Sequence, residues 1–281
     1  MSKILLGLIG AGIQRSLSPA LHEEEGRHHG LRVHYQLVDL DAAGVGAEVL
    51  PELMRAARVM GFAGLNVTYP CKQSVIPLLD ALSEEARAIG AVNTVVRDGD
   101  RLVGHNTDGS GWSWGFRRAL PKADLSRVVL LGAGGAGSAC ADAVLRLGAR
   151  QLVVVDQDPA RAAVLAERLN QHFPGKASAA RDAAGLQGAS GLIQATPVGM
   201  AQHPGMPLAE RLLQPALWIS EVVYLPLETP LLRAARRIGC ETADGGHMNV
   251  GQAVGAFKLF TGIDADAARM DAHFRRLVSS A

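Results

Sequence analysis

The string Gly132-Ala133-Gly134-Gly135-Ala136-Gly137 constrains this chain more than any other feature. It sits between a short apolar run, Val128 to Leu131, and a helical pattern from Gly137 to Leu147. Glycines at 132, 134 and 137 give the spacing G-x-G-x-x-G, and each has a task in a strand-to-helix turn. The first permits a tight turn, the second lets the backbone approach a pyrophosphate, and the third lets the helix pack on the strand. The helix N-terminus then faces the phosphates. A second strand, Gln151 to Val155, ends in Asp156, 19 positions after Gly137. A carboxylate at that place accepts hydrogen bonds from the ribose hydroxyls and repels a 2′-phosphate. Asp158 adds a second negative charge, whereas Arg161 argues the other way, because an arginine can accommodate that phosphate. The balance predicts NAD rather than NADP as the cofactor, held by Gly132, Ala133, Gly134, Gly135, Ala136, Gly137 and Asp156. Thr196 and Pro197, in the tight loop Ala195-Thr196-Pro197-Val198-Gly199-Met200, follow a later strand and fall where the other half of such a crevice lies.

A second glycine turn, Gly10-Ala11-Gly12, follows another apolar run, Ile4 to Ile9. Short continuous apolar runs bounded by glycine read as parallel strands buried on both faces. Ser18-Pro19 followed by acidic residues reads as a helix start with Ser18 as N-cap. Further strands are expected at His34–Leu40, Gly64–Thr68, Ala91–Val96, Arg101–Gly104, Gly191–Gln194, Trp218–Val223 and Glu241–Thr242. Helices are expected at Leu50–Val59, Ser74–Leu82, Glu84–Ile89, Pro159–Phe173 and Pro230–Ile238. Asp98-Gly99 is a hairpin signal. Strands alternating with helices imply βαβ units. At 281 residues the chain is long enough for two domains. The fold expected is α/β with two domains. An N-terminal parallel-sheet substrate domain covers 1–107 and is completed by 248–281, and a Rossmann nucleotide-binding domain covers 108–247.

Composition excludes several functions. Net charge is +1 with scattered basic residues, and aromatics are 4%, so no nucleic-acid partner is expected. Cys71, Cys140 and Cys240 form no CxxC pair, and His28-His29 cannot share a helix face as an i, i+4 pair would, so no metal is expected. The N-terminal apolar run is broken by glycines and no run reaches about 18 residues, so neither a signal peptide nor a membrane partner is expected. An odd cysteine count suits a reducing cytoplasm. A homodimer is compatible with the sequence, which leaves the oligomeric state open.

Polar residues cluster near the predicted strand ends of the first half: Ser16 and Ser18; Asn66, Thr68 and Lys72; Asn93; and Asn106-Thr107-Asp108. Singly each has an ordinary structural explanation. Together, the strings Ser16-Leu17-Ser18-Pro19, Gly64 to Lys72, Gly90 to Thr94 and Gly104 to Gly109 resemble shikimate dehydrogenase motifs. So do Gly132 to Gly137, Ala195 to Met200, Val222 to Pro226, and Met248 with Gln252, in the same order over nearly the whole chain. The chain is therefore identified as resembling the shikimate/quinate dehydrogenase family. The resemblance implies that Ser16 and Ser18 bind a ring carboxylate, that Thr68, Asn93 and Gln252 hold ring hydroxyls, and that Lys72 and Asp108 form the catalytic pair. It adds Val223, Gly245 and Met248 to the cofactor contacts. The implied substrate is a small-molecule ring hydroxy acid, and the implied reaction is reversible oxidation of the 3-hydroxyl of shikimate or quinate to the ketone.

The chemistry fits those roles. Removing hydride from a secondary alcohol requires a group that accepts the hydroxyl proton, which a lysine of lowered pKa can do. A nearby carboxylate pulls the other way, so the pair is coupled and the proton carrier is left open. Some positions depart from the family pattern. Gly12-Ile13-Gln14-Arg15 replaces the usual proline and histidine before the first serine, as in the quinate/shikimate branch. Gln194 replaces an asparagine, and Asn249 beside His247 replaces a leucine. Asp156-Gln157-Asp158 stands where NADP-type members carry Asn-Arg-Thr, which again favours NAD. Three alternatives stay open: a dehydrogenase for an amino-substituted shikimate analogue, a non-catalytic sensor of NAD or of the ring acid, and an unrelated two-domain Rossmann enzyme such as a folate dehydrogenase. Lys72 together with Asp108 argues against a sensor. A biosynthetic role in aromatic amino acid formation and a catabolic one are both compatible.

Overall fold

The structure is a computed structural model that describes residues 3–182 and 186–279. In chain order the first part carries β1 (Lys3–Gly10), α1 (Ser18–His28), β2 (Arg32–Asp39), α2 (Leu40–Ala43), α3 (Leu50–Met60), β3 (Gly64–Val67), α4 (Cys71–Ser74), β4 (Ala81–Leu82), α5 (Glu84–Ile89), β5 (Thr94–Asp98) and β6 (Arg101–His105). Then follow α6 (Asp108–Ala119), β7 (Arg127–Leu131), α7 (Gly135–Arg146), β8 (Gln151–Val155), α8 (Pro159–His172), β9 (Ala177–Ala180), β10 (Gly191–Gln194), β11 (Trp218–Glu221), α9 (Pro230–Ile238), β12 (Glu241–Ala243), α10 (Gly245–Thr261) and α11 (Ala267–Ser279). The chain divides into two compact units. One comprises residues 1–107 with 252–281, and the other residues 108–251. Among the described residues no helix is long and apolar enough to cross a membrane.

The first unit holds a six-stranded sheet in the order β2-β1-β3-β5-β6-β4. Strands β1, β2 and β3 are parallel, while β5 runs antiparallel to both β3 and β6. The β5–β6 hairpin forms as the Asp98-Gly99 signal predicts, with Gly99 and Asp100 as its two linking residues. One core cluster packs Ile9, Leu50, Met54, Leu65, Val67 and Val95, and another packs Leu6, Leu8, Tyr35 and Phe260. The second unit holds a parallel sheet in the order β12-β11-β10-β7-β8-β9. Its continuous apolar strands divide their side chains between two clusters: Val128, Leu130, Leu152 and Val154 in one, and Val129, Leu131, Val153 and Val155 in the other. Burial on both faces explains why these runs carry no polar alternation.

Three local expectations are corrected. Ser18 is not the N-cap of α1: Leu17 occupies that place in helical geometry, no side chain caps the helix, and its first turn holds no acidic residue. The Leu21 N–H already bonds the Leu17 carbonyl at 3.0 Å, so the helix starts one residue early. The expected helix over Ser74–Leu82 is instead α4, a 3-10 turn at Ile76–Leu78 and the short strand β4. Pro77 explains the break, since it lacks a donor and clashes with the preceding turn of an α-helix. Asn93 precedes β5 rather than lying within a strand. Beyond these corrections, the alanine- and glycine-rich run at 177–189 contributes β9, a strand that no sequence signal marks, and β9 pairs with β8. Residues 183–185 of that stretch lie outside the described residues.

Candidate functional site

In the first unit, the residues expected to hold a ring acid come from four chain segments. Because Ser18 is not spent as a cap, its hydroxyl meets that of Ser16, with Oγ atoms 3.2 Å apart, and Ser16 Oγ accepts the Ser18 N–H at 3.3 Å. The loop bearing them is held by Asp39 at the end of β2. Asp39 Oδ1 accepts the Gly12 N–H and Oδ2 the Ile13 N–H, both at 3.0 Å. Burial works against the Asp39 charge, but bonds from the Gln14 side chain and the Gly12, Ala42 and Asp41 N–H groups hold its carboxyl below the ordinary range. On the other side of the loop, the Ala11 N–H reaches the Tyr69 carbonyl at 2.9 Å, and the Thr68 N–H reaches the Ile9 carbonyl at 2.9 Å. These bonds place the serine loop beside Thr68. Lys72 lies on α4 with a half-buried side chain, and its carbonyl accepts the Val92 N–H at 2.8 Å.

Asn93 belongs to a buried polar network. Tyr35 donates its hydroxyl to Asn66 Oδ1 at 2.7 Å, and Asn66 Nδ2 donates to Thr94 Oγ1 at 3.0 Å. Thr94 donates to Asn93 Oδ1 at 2.9 Å, which also accepts the Thr107 N–H at 2.8 Å. Asn93 Nδ2 donates to Thr107 Oγ1 at 2.9 Å, and that hydroxyl donates to the Gln252 carbonyl at 3.0 Å. Asn93 and Gln252 are thereby tied together although 159 positions separate them. A fully satisfied network of this kind fixes the orientation of its members.

In the second unit, the glycine turn has the shape its spacing predicts. Gly132 adopts φ +99°. A Cβ on Gly137 would lie 1.9 Å from the Gly132 carbonyl oxygen, so only glycine lets α7 approach β7 this closely. Gly134 has extended backbone at the start of α7, the arrangement that presents a helix N-terminus to an anion. Asp156 Oδ2 accepts the Ala133 N–H at 2.6 Å and Oδ1 accepts the Asp158 N–H at 3.0 Å, which leaves each oxygen a further lone pair. Asp158 caps α8 by accepting the Ala160 N–H at 2.9 Å. The Arg161 guanidinium comes within 3.6 Å of where a Gly134 Cβ would sit, so a cation also borders the turn. The donors, the open glycine and the carboxylate fit a dinucleotide. Thr196 and Pro197 follow β10, Val223 follows β11, Gly245 opens α10, and Met248 is buried on α10. Asp108 is the first residue of α6 and is buried. Among the described residues no cluster of three or more His, Cys, Asp or Glu is arranged to hold a metal.

Residues 8–95 match the model of the shikimate dehydrogenase substrate-binding domain. A shikimate dehydrogenase (NADP(+)) of Streptomyces avermitilis is 57% identical, over 99% of this chain and 97% of that one. A quinate/shikimate dehydrogenase (NAD(+)) of Corynebacterium efficiens is 47% identical over 98% of both. The chain belongs to the shikimate dehydrogenase family. Among solved structures of the family, quinate dehydrogenase from Corynebacterium glutamicum in complex with NAD superposes with a TM-score of 0.89 at 44% identity, covering 98% of this chain and 100% of that one. A Thermus thermophilus shikimate 5-dehydrogenase in complex with NADP(H) and shikimate gives 0.86 at 33% identity, covering 98% and 99%.

Several residues of these networks were not singled out from the sequence. Asp39 carried a legible signal, because an acidic residue ends the strand after a glycine turn just as Asp156 does. Tyr35 carries none, since a polar residue in a buried strand announces itself only through its partners.

Proposed function

We propose that this family member oxidises the 3-hydroxyl of shikimate, quinate or both to the ketone, with NAD as the preferred cofactor. In this reading the first unit takes the ring acid and the second takes the dinucleotide. Ser16 and Ser18 donate to the ring carboxylate, Thr68, Asn93 and Gln252 orient the ring hydroxyls, and Lys72 with Asp108 manages the proton that leaves the reacting oxygen. A site of many hydrogen bonds suits a polyhydroxy acid, because an analogue lacking a hydroxyl leaves a buried polar group unpaired. The cofactor, when bound, supplies the hydride acceptor. Gly132 to Gly137, Thr196, Pro197, Val223, Gly245 and Met248 hold it, and their task is placement. Three buried cysteines without disulfides fit a reducing cytoplasm.

The observation that carries the NAD preference is the Asp156 carboxylate, folded onto the glycine turn with lone pairs left for two ribose hydroxyls. A 2′-phosphate at that place would meet Asp156 and Asp158. A second reading, NADP, is favoured by the Arg161 guanidinium at the same turn and by the NADP-linked name of the Streptomyces relative. Initial rates with NAD and with NADP, on shikimate and on quinate separately, decide between them. Faster turnover with NAD, abolished in Lys72→Ala, is the expected result. Preference for NADP would refute the role given to Asp156, and no turnover of either acid would move the assignment to an amino-substituted analogue or a sensor.

A further inference from the structure

The ends of β10 and β11 carry two long buried polar side chains for which hydride transfer has no direct use. Gln194 is 0% exposed and Glu221 is 1% exposed, and the parallel register pairs them. Each side chain turns back onto the loop that leaves its own strand. Gln194 Nε2 donates to Thr196 Oγ1 at 2.8 Å and to the Val198 carbonyl at 2.9 Å, while its Oε1 accepts the Thr196 N–H at 3.2 Å. Glu221 Oε1 accepts the N–H groups of both Val222 and Val223 at 3.0 Å. Its Oε2 accepts the Thr229 hydroxyl at 2.9 Å, and Thr229 in turn accepts the Leu232 N–H at 3.2 Å to cap α9. The Val222–Val223 segment is gripped from the carbonyl side as well. A Cβ on Gly245 would stand 2.3 Å from the Val223 oxygen and 2.5 Å from the Val222 oxygen, so the start of α10 lies directly against both.

Topology says what these loops serve. The strand order reverses at β7, and a dinucleotide lies across such a reversal. Asp156, directly after β8, serves the adenosine side. The loops after β10 and β11 then belong to the other nucleotide. A carboxylate buried with no cation bonded to it is costly to ionise, and a merely space-filling residue would avoid that cost. What a carboxylate does offer is two acceptor oxygens that can hold two successive N–H groups and a hydroxyl at once.

We propose that Glu221, with Gln194 beside it, is a positioning residue for the nicotinamide half of the cofactor site, fixing the Val222–Val223 and Thr196–Val198 backbones against which that half is placed. This rests on the dinucleotide reading above. The test compares binding of the reduced cofactor with binding of its adenosine half alone, ADP-ribose, or its 2′-phosphate if NADP is preferred. Glu221→Leu is expected to leave ADP-ribose affinity within about twofold, to weaken NADH at least about tenfold, and to lower kcat, because pre-ordering of only one half is lost. Glu221→Gln keeps an acceptor at Oε1 and is expected to restore most of the kcat. Equal losses for ADP-ribose and NADH, or an unchanged kcat in Glu221→Leu, would overturn the proposal while leaving the cofactor reading intact. Wild-type protein that binds neither dinucleotide would overturn both. Should Glu221→Leu fail to fold, Gln194→Leu carries the same comparison with the same outcomes.

Discussion

Glu221→Gln should gain stability over the wild type as pH rises, because the buried carboxylate is costly to ionise. Burial pushes the Glu221 carboxyl up from 4.5 to about 7, against the bonds it accepts from Val223, Thr229 and Val222. Between those two values the folded protein holds a proton that the unfolded chain has released. Stability therefore falls as pH rises through that window. One pKa unit corresponds to about 1.4 kcal/mol, so the group costs about 3 kcal/mol at pH 8 and under about 1 kcal/mol at pH 5. Glutamine does not titrate and keeps the acceptor for the two N–H groups. The stability difference between Glu221→Gln and wild type should therefore grow, in favour of glutamine, by about 2.5 kcal/mol from pH 5 to pH 8. Every other titrating group cancels in that difference. Urea titrations followed by tryptophan fluorescence are suited to it, because all three tryptophans, Trp112, Trp114 and Trp218, lie in the unit that contains Glu221. A difference that stays constant, or shrinks as pH rises, would refute the reasoning.

Gly137→Ala would set a methyl 1.9 Å from the Gly132 carbonyl oxygen, so the turn must move by more than an ångström. The expected cost is about 1–3 kcal/mol with a loss of cofactor affinity, measured by thermal melts and NADH titration. Glu25, buried at the α1–α11 contact, accepts from Arg269 at 2.6 and 2.8 Å and from the Asp266 N–H at 2.8 Å. Arg269 is 29% exposed, so solvent recovers part of what Glu25→Ala removes; about 1–3 kcal/mol is expected, with faster amide exchange in α11 as the readout. His22 stacks on Tyr35 with ring centroids 5.0 Å apart, and neither of its ring nitrogens has a hydrogen-bond partner among the described residues. Burial lowers its pKa from 6.5 to about 4, against the attraction of Glu25, so between those values the unfolded chain takes up a proton that the folded one does not. Stability is then lost as pH falls through the window, and His22→Leu should flatten this acid limb by up to about 3 kcal/mol in pH-dependent melts.

Features that depend on a few neighbouring residues could be read from the chain directly. The roles of Gly132, Gly134 and Gly137 follow from backbone geometry within one turn, and the alternating strands and helices follow from local periodicity. Ser18 shows the limit of such reading. Its sequence context is that of a cap, yet Leu17 already bonds Leu21, and the hydroxyl is turned to Ser16 instead. Likewise Pro77 was visible, but whether it would bend or end the helix was settled by β4 finding β6 as a partner.

By itself the sequence determined that this is an α/β chain with a dinucleotide turn and a set of polar residues in the order of one enzyme family. Only the tertiary structure decided which buried polar groups hold that set in place. Asp39 meets Gly12 and Ile13 because β2 lies beside β1, and Glu221 lies beside Gln194 because β11 pairs with β10. Tyr35, Asn66, Thr94, Asn93, Thr107 and Gln252 form one network only once five separate chain segments have been brought together. The reason is physical. Backbone geometry and periodicity are set by near neighbours, whereas the satisfaction of a buried polar atom depends on strand register, which joins residues far apart in the chain.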